Sequence, residues 1–254
     1  MIPKVIHYCW FGQGKMSSLA EKCIASWRSL LPDFSIKCWN EDNFDIESNR
    51  YVKEAYSAKK YAFVTDYVRL YALYTEGGIY MDSDVEVIKR IDRFLSFPAF
   101  TGFETTGGCI TGIMGSEKHG QWVKDLLNEY EERCFINPDG SFNTATNVKY
   151  TMDLMQAKGI SIGKMDEEAG EDSYVKIFPY YYFCPKPVWG DKYEVSDNTY
   201  TIHHFAGSWL STKQRLVMWT VKRFGVWPGR VVGLLMNNPV RAIIRVWAYI
   251  RTGR

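Results

Sequence analysis

YAFVTDYVRLYALYTEGGIYMDSDVE (residues 61–86) reads as one helix, a double-glycine stop, a short buried strand and an acidic triplet. Apolar residues from Ala62 to Tyr74 cover more than one helical face, which predicts a helix buried in a globular domain. Gly77 and Gly78 end it, because glycine takes the left-handed C′ conformation without a Cβ penalty. Asp66 and Arg69 stand three apart and share a face, and two charges on so apolar a helix need partners. From Asp66 to Glu76 the helix advances ~15 Å, and a strand from Ile79 to Asp82 turning back covers roughly 10–13 Å. The triplet Asp82-Ser83-Asp84 is therefore expected beside Asp66 and Arg69.

Alternation points Asp82 and Asp84 the same way. Two like charges together ask for a cation, and oxygen ligands with substrate phosphates suit Mg²⁺ or Mn²⁺. An Asx-rich turn between two strands accounts for the triplet equally well at this point.

Outward from this stretch the chain alternates strands and helices. Lys4–Phe11 has strand length and closes on Gly12-Gln13-Gly14. Ser18 to Glu21 matches a capping box opening a helix to Leu31, and Phe34–Trp39 is a second strand. Strand, helix, strand at this spacing is a βαβ unit, so the fold class expected is α/β with a mainly parallel mixed sheet. Ligands of such sheets collect beyond the carboxyl ends of strands, which makes Trp10 either a base-stacking residue or a core tryptophan. Further strands are expected at Phe100–Glu104 and Ile110–Met114, and helices within Arg50–Ala58, Glu117–Arg133 and Thr146–Lys158. Phe178–Trp189, aromatic and broken by prolines, reads as a packed loop or a sugar-stacking groove. Tyr200–Phe205 is a last strand; alternation lets one of His203 and His204 face the acidic site, where imidazole would suit a Mn²⁺-like ion.

The six cysteines are scattered without a CxxC pair, as expected of reduced thiols in a cytoplasmic protein. The opening MIPKVIHYCWF reads as a strand and not as a targeting segment. Val231–Val240, the longest uncharged run of the tail, falls short of the about 17–25 apolar residues of a membrane span. Charge is unevenly spread: residues 198–254 hold nine Lys or Arg and no acid, leaving 22 basic against 29 acidic residues before them. The expected organisation is a catalytic domain over 1–210 and a basic helical extension over 211–254. In that extension Asn238 caps, Pro239 leads, and Arg241 and Arg245 share a face. Such a segment either lies on an anionic membrane surface, peripheral on the inner face of the plasma membrane, or folds over its own acidic body. No nucleic-acid-binding motif accompanies the basic residues.

Three pieces of the chain, IPKVIHYCWFG (2–12), AFVTDYVRLYALYTEGGIYMDSDVEV (62–87) and IHHFAGSWLS (202–211), resemble the DXD-containing sugar transferases of glycosyltransferase family 32. That group includes bacterial capsular-polysaccharide enzymes and the yeast outer-chain initiating mannosyltransferase, with the glucosylating domains of clostridial toxins more distant. The resemblance implies a GT-A fold and retention at the anomeric carbon. It implies that Trp10 stacks on the nucleotide base and that Asp66 and Arg69 hold the donor sugar. Asp82 would meet the sugar or ribose and the metal shell, Asp84 would bind the metal directly, and Tyr80, Ser83, Ser208 and Trp209 would contact the nucleotide. His204 is taken as the metal histidine because of its five-residue spacing to Trp209. Around Cys109-Ile110-Thr111-Gly112 an Asn of many relatives is missing.

The activity so implied is transfer of a sugar from a nucleotide-sugar donor, UDP-sugar ahead of GDP-sugar, to a saccharide or lipid-linked acceptor. Mn²⁺ is favoured over Mg²⁺ because a histidine enters the shell. A phosphatase of the haloacid dehalogenase type fits less well, since Glu86 stands where that motif has Thr or Val. An inactive sugar-binding scaffold of the same fold is the alternative from another class.

Overall fold

The computed structural model describes residues 1–187, 192–207, 216, 217, 219 and 220. Ser208, Trp209 and the basic extension from 221 onward, including Asn238, Arg241 and Arg245, lie outside the described residues. The chain divides into two units, Met1–Lys186 with Tyr193–Phe205, and Pro187–Lys192 with Ala206–Arg254. Of the second, few residues are described; the fold below is that of the first.

Strands β1 (Val5–Cys9), β2 (Ser35–Trp39), β3 (Gly78–Met81), β5 (Ala99–Gly102), β6 (Ile113–Ser116), β7 (Ala169–Glu171) and β8 (Val175–Phe178) form one sheet, in the order β2-β1-β3-β6-β5-β8-β7. Pairs β1–β2, β1–β3 and β5–β8 are parallel, and β6 and β7 pair antiparallel with their neighbours. Five strands thus run one way and two the other, the mainly parallel mixed α/β sheet expected. A separate ribbon pairs β4 (Val85–Val87) with β9 (Thr201–His203).

Both faces of the sheet are covered, so its strands are buried on both sides. Tyr80 joins one core with Val64, Val68 and Leu73 of α3 (Tyr61–Glu76) and Trp122 of α4 (Gln121–Asn128). Its neighbours Ile79 and Met81 join the other, with Ile24 and Trp27 of α1 (Ser18–Leu30). Among the described residues no helix is long and apolar enough to cross a membrane.

Local readings hold with small shifts. Gly77 has φ +69° and its N–H returns to the Leu73 carbonyl, ending α3. A Cβ on Gly77 would stand 2.6 Å from the Lys118 nitrogen, and one on Gly78 2.6 Å from the Val5 carbonyl, so the glycine pair also admits close backbone packing. Helix α1 is capped by Ser17, whose hydroxyl accepts the Ala20 N–H, one residue before the expected capping box. The strand expected at Ile110–Met114 begins only at Ile113, because the buried Thr101 hydroxyl donates to the Ile110 and Ile113 carbonyls and holds the intervening residues in a bend. Residues 169–178, not anticipated as extended, form β7 and β8, and the aromatic segment contains a one-turn helix, α6 (Tyr180–Phe183). Two further helices, α2 (Arg50–Ser57) and α5 (Asn147–Ala157), lie where expected.

Candidate active site

Beyond Met81 the chain leaves the sheet, and the Asp82 N–H donates to the Gly112 carbonyl at 2.8 Å. The turn closes with the Val85 N–H on the Asp82 carbonyl, so Asp82, Ser83 and Asp84 stand at a carboxyl end of the sheet. Trp10 follows β1 at the same edge. The parallel register of Ile6 with Ile79 and His7 with Tyr80 puts the carboxyl ends of β1 and β3 at one edge of the sheet. Trp10 is half-buried, and its indole N–H is already used, donating to the Gly14 carbonyl at 2.7 Å. Its ring therefore contributes a face and no donor.

Arg69 is the cation of this edge, with 5% of its side chain exposed. Its Nη2 donates to Asp66 Oδ1 at 2.9 Å, Nη1 to the Thr111 carbonyl at 2.7 Å, and Nε to the Thr65 carbonyl at 3.2 Å. Nη1 also stands 3.5 Å from Asp82 Oδ1. The expectation that the triplet would arrive beside Asp66 and Arg69 is met at Asp82. Burial pushes the Asp66 carboxyl up to about 7, against the pull of Arg69 and with the further push of Asp82.

Tyr80 corrects one expectation. It is 1% exposed, its hydroxyl donates to Asp82 Oδ1 at 2.8 Å, and its ring faces the guanidinium of Arg69 at 4.6 Å. It braces Asp82 and Arg69 from below and has no surface to offer a nucleotide.

The histidine is the second correction. His203 Nε2 lies 3.3 Å from Asp84 Oδ1 and 3.8 Å from Asp82 Oδ2, whereas His204 Nε2 bonds Glu86 Oε2 at 2.8 Å. Glu86 stands opposite Ile202 in the β4–β9 ladder, and His204 is two residues further along that face. The opposite face, with Val85, goes to His203, so alternation held and the choice between the two did not. Burial disfavours the charged form of His203, but Asp84 outweighs it and the imidazole titrates well above its ordinary range.

Asp82, Asp84 and His203 each offer a ligand atom within 4.8 Å of the others. Two carboxylates and an imidazole are a donor set for Mn²⁺ or Mg²⁺, with the imidazole tilting it toward Mn²⁺. One further observation agrees with this fit. Gly112 leaves the space a side chain would fill, since a Cβ there would come within 2.8 Å of His203 Cε1 and 3.1 Å of Asp82 Oδ2. The loop carrying Gly112 also brings Glu104, whose carboxyl is pushed up by burial and feels the charges of His203 and Asp82. Glu104 and Asn147, which donates to the Asp66 carbonyl at 3.2 Å, were not singled out in the sequence, and Thr111 and Gly112 stood out there only for the Asn missing around them. A glycine just ahead of a strand was the other visible signal among them.

Residues 17–101 match the model of the glycosyltransferase sugar-binding region containing a DXD motif. Similar proteins include inositol phosphoceramide mannosyltransferase 3 of Schizosaccharomyces pombe, 29% identical over 53% of this chain and 38% of the relative. Mannosyl phosphorylinositol ceramide synthase SUR1 of Saccharomyces cerevisiae is 28% identical over 54% of this chain and 37% of its own length. The chain thus spans well under half of either relative. Among solved structures the PaToxG glycosyltransferase aligns over 61% of this chain and 69% of its own, at 17% identity and a TM-score of 0.46. Asp66, Arg69, Asp82 and Asp84 all lie inside the stretch that matches the DXD-containing sugar-binding region.

Proposed function

We propose that this protein is a metal-dependent retaining hexosyltransferase. It moves a sugar from a nucleotide-sugar donor to a saccharide or lipid-linked saccharide acceptor in bacterial surface polysaccharide synthesis. The observation that carries the reading is the convergence of Asp82, Asp84 and His203, with Arg69 and Asp66 beside them, at a carboxyl edge of the sheet. Asp84 and His203, with Asp82 alongside, would hold Mn²⁺ or Mg²⁺. Bound there, the ion supplies positive charge to the diphosphate oxygens as the leaving group departs. Arg69 is fixed by four acceptors, so its charge and fork need no reorganisation during the reaction. Asp66, held by Arg69, is the acceptor for donor-sugar hydroxyls, and Trp10 offers its face to the base. Asp82, braced by Tyr80 and Arg69, orients the metal shell.

The relatives' names assign them a mannosyl group, so mannosyl donors join UDP-sugars, which remain favoured, in the first panel. That panel, scored by donor hydrolysis with Mn²⁺ and again with chelator, tests the activity. Metal-dependent release from one donor is expected, and a chain that neither hydrolyses any donor nor gains thermal stability from UDP, GDP and Mn²⁺ is an inactive scaffold.

Gly112→Ala probes the metal site separately. The new methyl pushes His203 and Asp82 apart, at about 1–3 kcal/mol of overpacking. A variant that folds should lose most of the Mn²⁺-dependent rise in Tm; an undiminished rise would remove Gly112 from the account.

Catalytic work falls to residues 1–210. The extension 211–254 would dock on an anionic membrane surface beside a lipid-linked acceptor, peripheral on the cytoplasmic side. Its charge, nine basic residues and no acid from 198 onward, supports that reading.

A further inference from the structure

Arg133 is a buried cation that no step above uses. Only 7% of its side chain is exposed. Its guanidinium packs on two tyrosine rings, 4.1 Å from the centre of Tyr130 and 3.3 Å from that of Tyr150. Rings satisfy the faces of a guanidinium, but its N–H groups point outward in the plane and need acceptors. Nη1 is buried without one. Among the described residues the carboxylate within ion-pair distance is Glu129, 3.8 Å from Nη2 and itself 49% exposed. That separation is too long for a hydrogen bond. A guanidinium taken out of water is stable only when well paired, and one long contact to a half-exposed carboxylate leaves Arg133 under-paired, with Nη1 unused.

The position is held firmly. Just beyond Arg133, the N–H groups of Phe135 and Ile136 both donate to Glu54 Oε2 of α2, at 2.8 and 2.9 Å. It also adjoins the site: the Tyr130 hydroxyl donates to Asn147, and Asn147 donates to the Asp66 carbonyl. The charge of Arg133 reaches the Asp66 carboxyl, where it opposes the effect of burial.

We infer that Arg133 is the recognition residue for an oxyanion, a phosphate or a carboxylate, carried by the acceptor substrate. The planar fork suits both groups, and both occur on saccharides and lipid-linked saccharides. The donor's own phosphates are taken up at the Asp82–Asp84 edge, which leaves the anion on the acceptor. Assignment to the acceptor rests on the glycosyltransferase reading, whereas the existence of the anion site does not.

Thermal shift and calorimetric titration of the full chain, in EDTA and without nucleotide, test the anion site independently of the metal and the donor. The probes are inorganic phosphate, glucose 6-phosphate, glucuronate and neutral glucose. Wild type should bind a charged sugar saturably and ignore glucose. Arg133→Gln should weaken binding at least 10-fold, and Arg133→Lys, which keeps the charge but loses the fork, several-fold. Glu129→Gln, which removes the competing carboxylate, should tighten it several-fold. If Arg133→Gln fails to fold, the Lys and Glu129 variants decide. No saturable anion binding to wild type, or equal binding across the variants, would overturn the site; binding of inorganic phosphate alone, with both charged sugars ignored, would overturn its assignment to an acceptor.

Discussion

Asp84→Asn is expected to lower metal-dependent turnover of the accepted donor about 10³-fold, on the order of 4 kcal/mol of transition-state stabilisation. The amide keeps the shape of the carboxylate and loses its charge. Two things then fail together. The cation loses an anionic ligand, and His203 loses the carboxylate 3.3 Å away that holds it toward the site. Asp82 alone cannot compensate, because its Oδ1 already accepts from Tyr80 and faces Arg69. Stability should change little, since removing one of two adjacent carboxylates offsets the loss of the histidine contact. The check is an initial-rate series in Mn²⁺ for both proteins, with melting curves alongside. Wild-type turnover in the variant, with and without chelator, would sink the assignment of Asp84.

Arg69→Met should cost about 3–5 kcal/mol of folding stability, a fall in Tm on the order of 10 °C, and abolish transfer. The side chain fits the buried slot, but the partly buried carboxylates of Asp66 and Asp82 would lose their cation and the Thr111 carbonyl its donor. Adding Asp66→Asn to Arg69→Met should restore part of the stability and none of the activity, because it removes the uncompensated charge without replacing the fork. Arg69→Lys should keep more of the stability than Met, yet still lose most of the turnover, since three donors on a flexible stem cannot serve four fixed acceptors. Denaturant melts of the four proteins measure this. A loss under about 1 kcal/mol in Arg69→Met would show that Arg69 does not hold the edge together.

Much of this edge was legible because its parts are close in sequence. The helix, the glycine stop, the returning strand and the acidic pair occupy 26 consecutive residues, and helical and strand periods then fix which side chains share a face. The meeting of Arg69 with Asp82 followed from element lengths alone. The nucleotide contact expected of Tyr80 came from the resemblance, and local periodicity could not test it. Alternation gives its direction within β3, but not that α3 and α4 cover that face of the sheet and bury it to 1%.

The sequence by itself determined that an α/β sheet would present Asp82 and Asp84 together at a strand end, with Asp66 and Arg69 on a facing helix and one histidine of a pair turned toward them. Only the tertiary structure decided that the histidine is His203, that the Thr111 carbonyl and Gly112 complete the surroundings, and that Arg133 stands buried nearby with an unused donor. Periodicity sets faces within one element. Which residues of two distant elements oppose each other depends on the hydrogen-bond ladder, here β4 against β9, whose paired residues Glu86 and Ile202 lie more than a hundred positions apart.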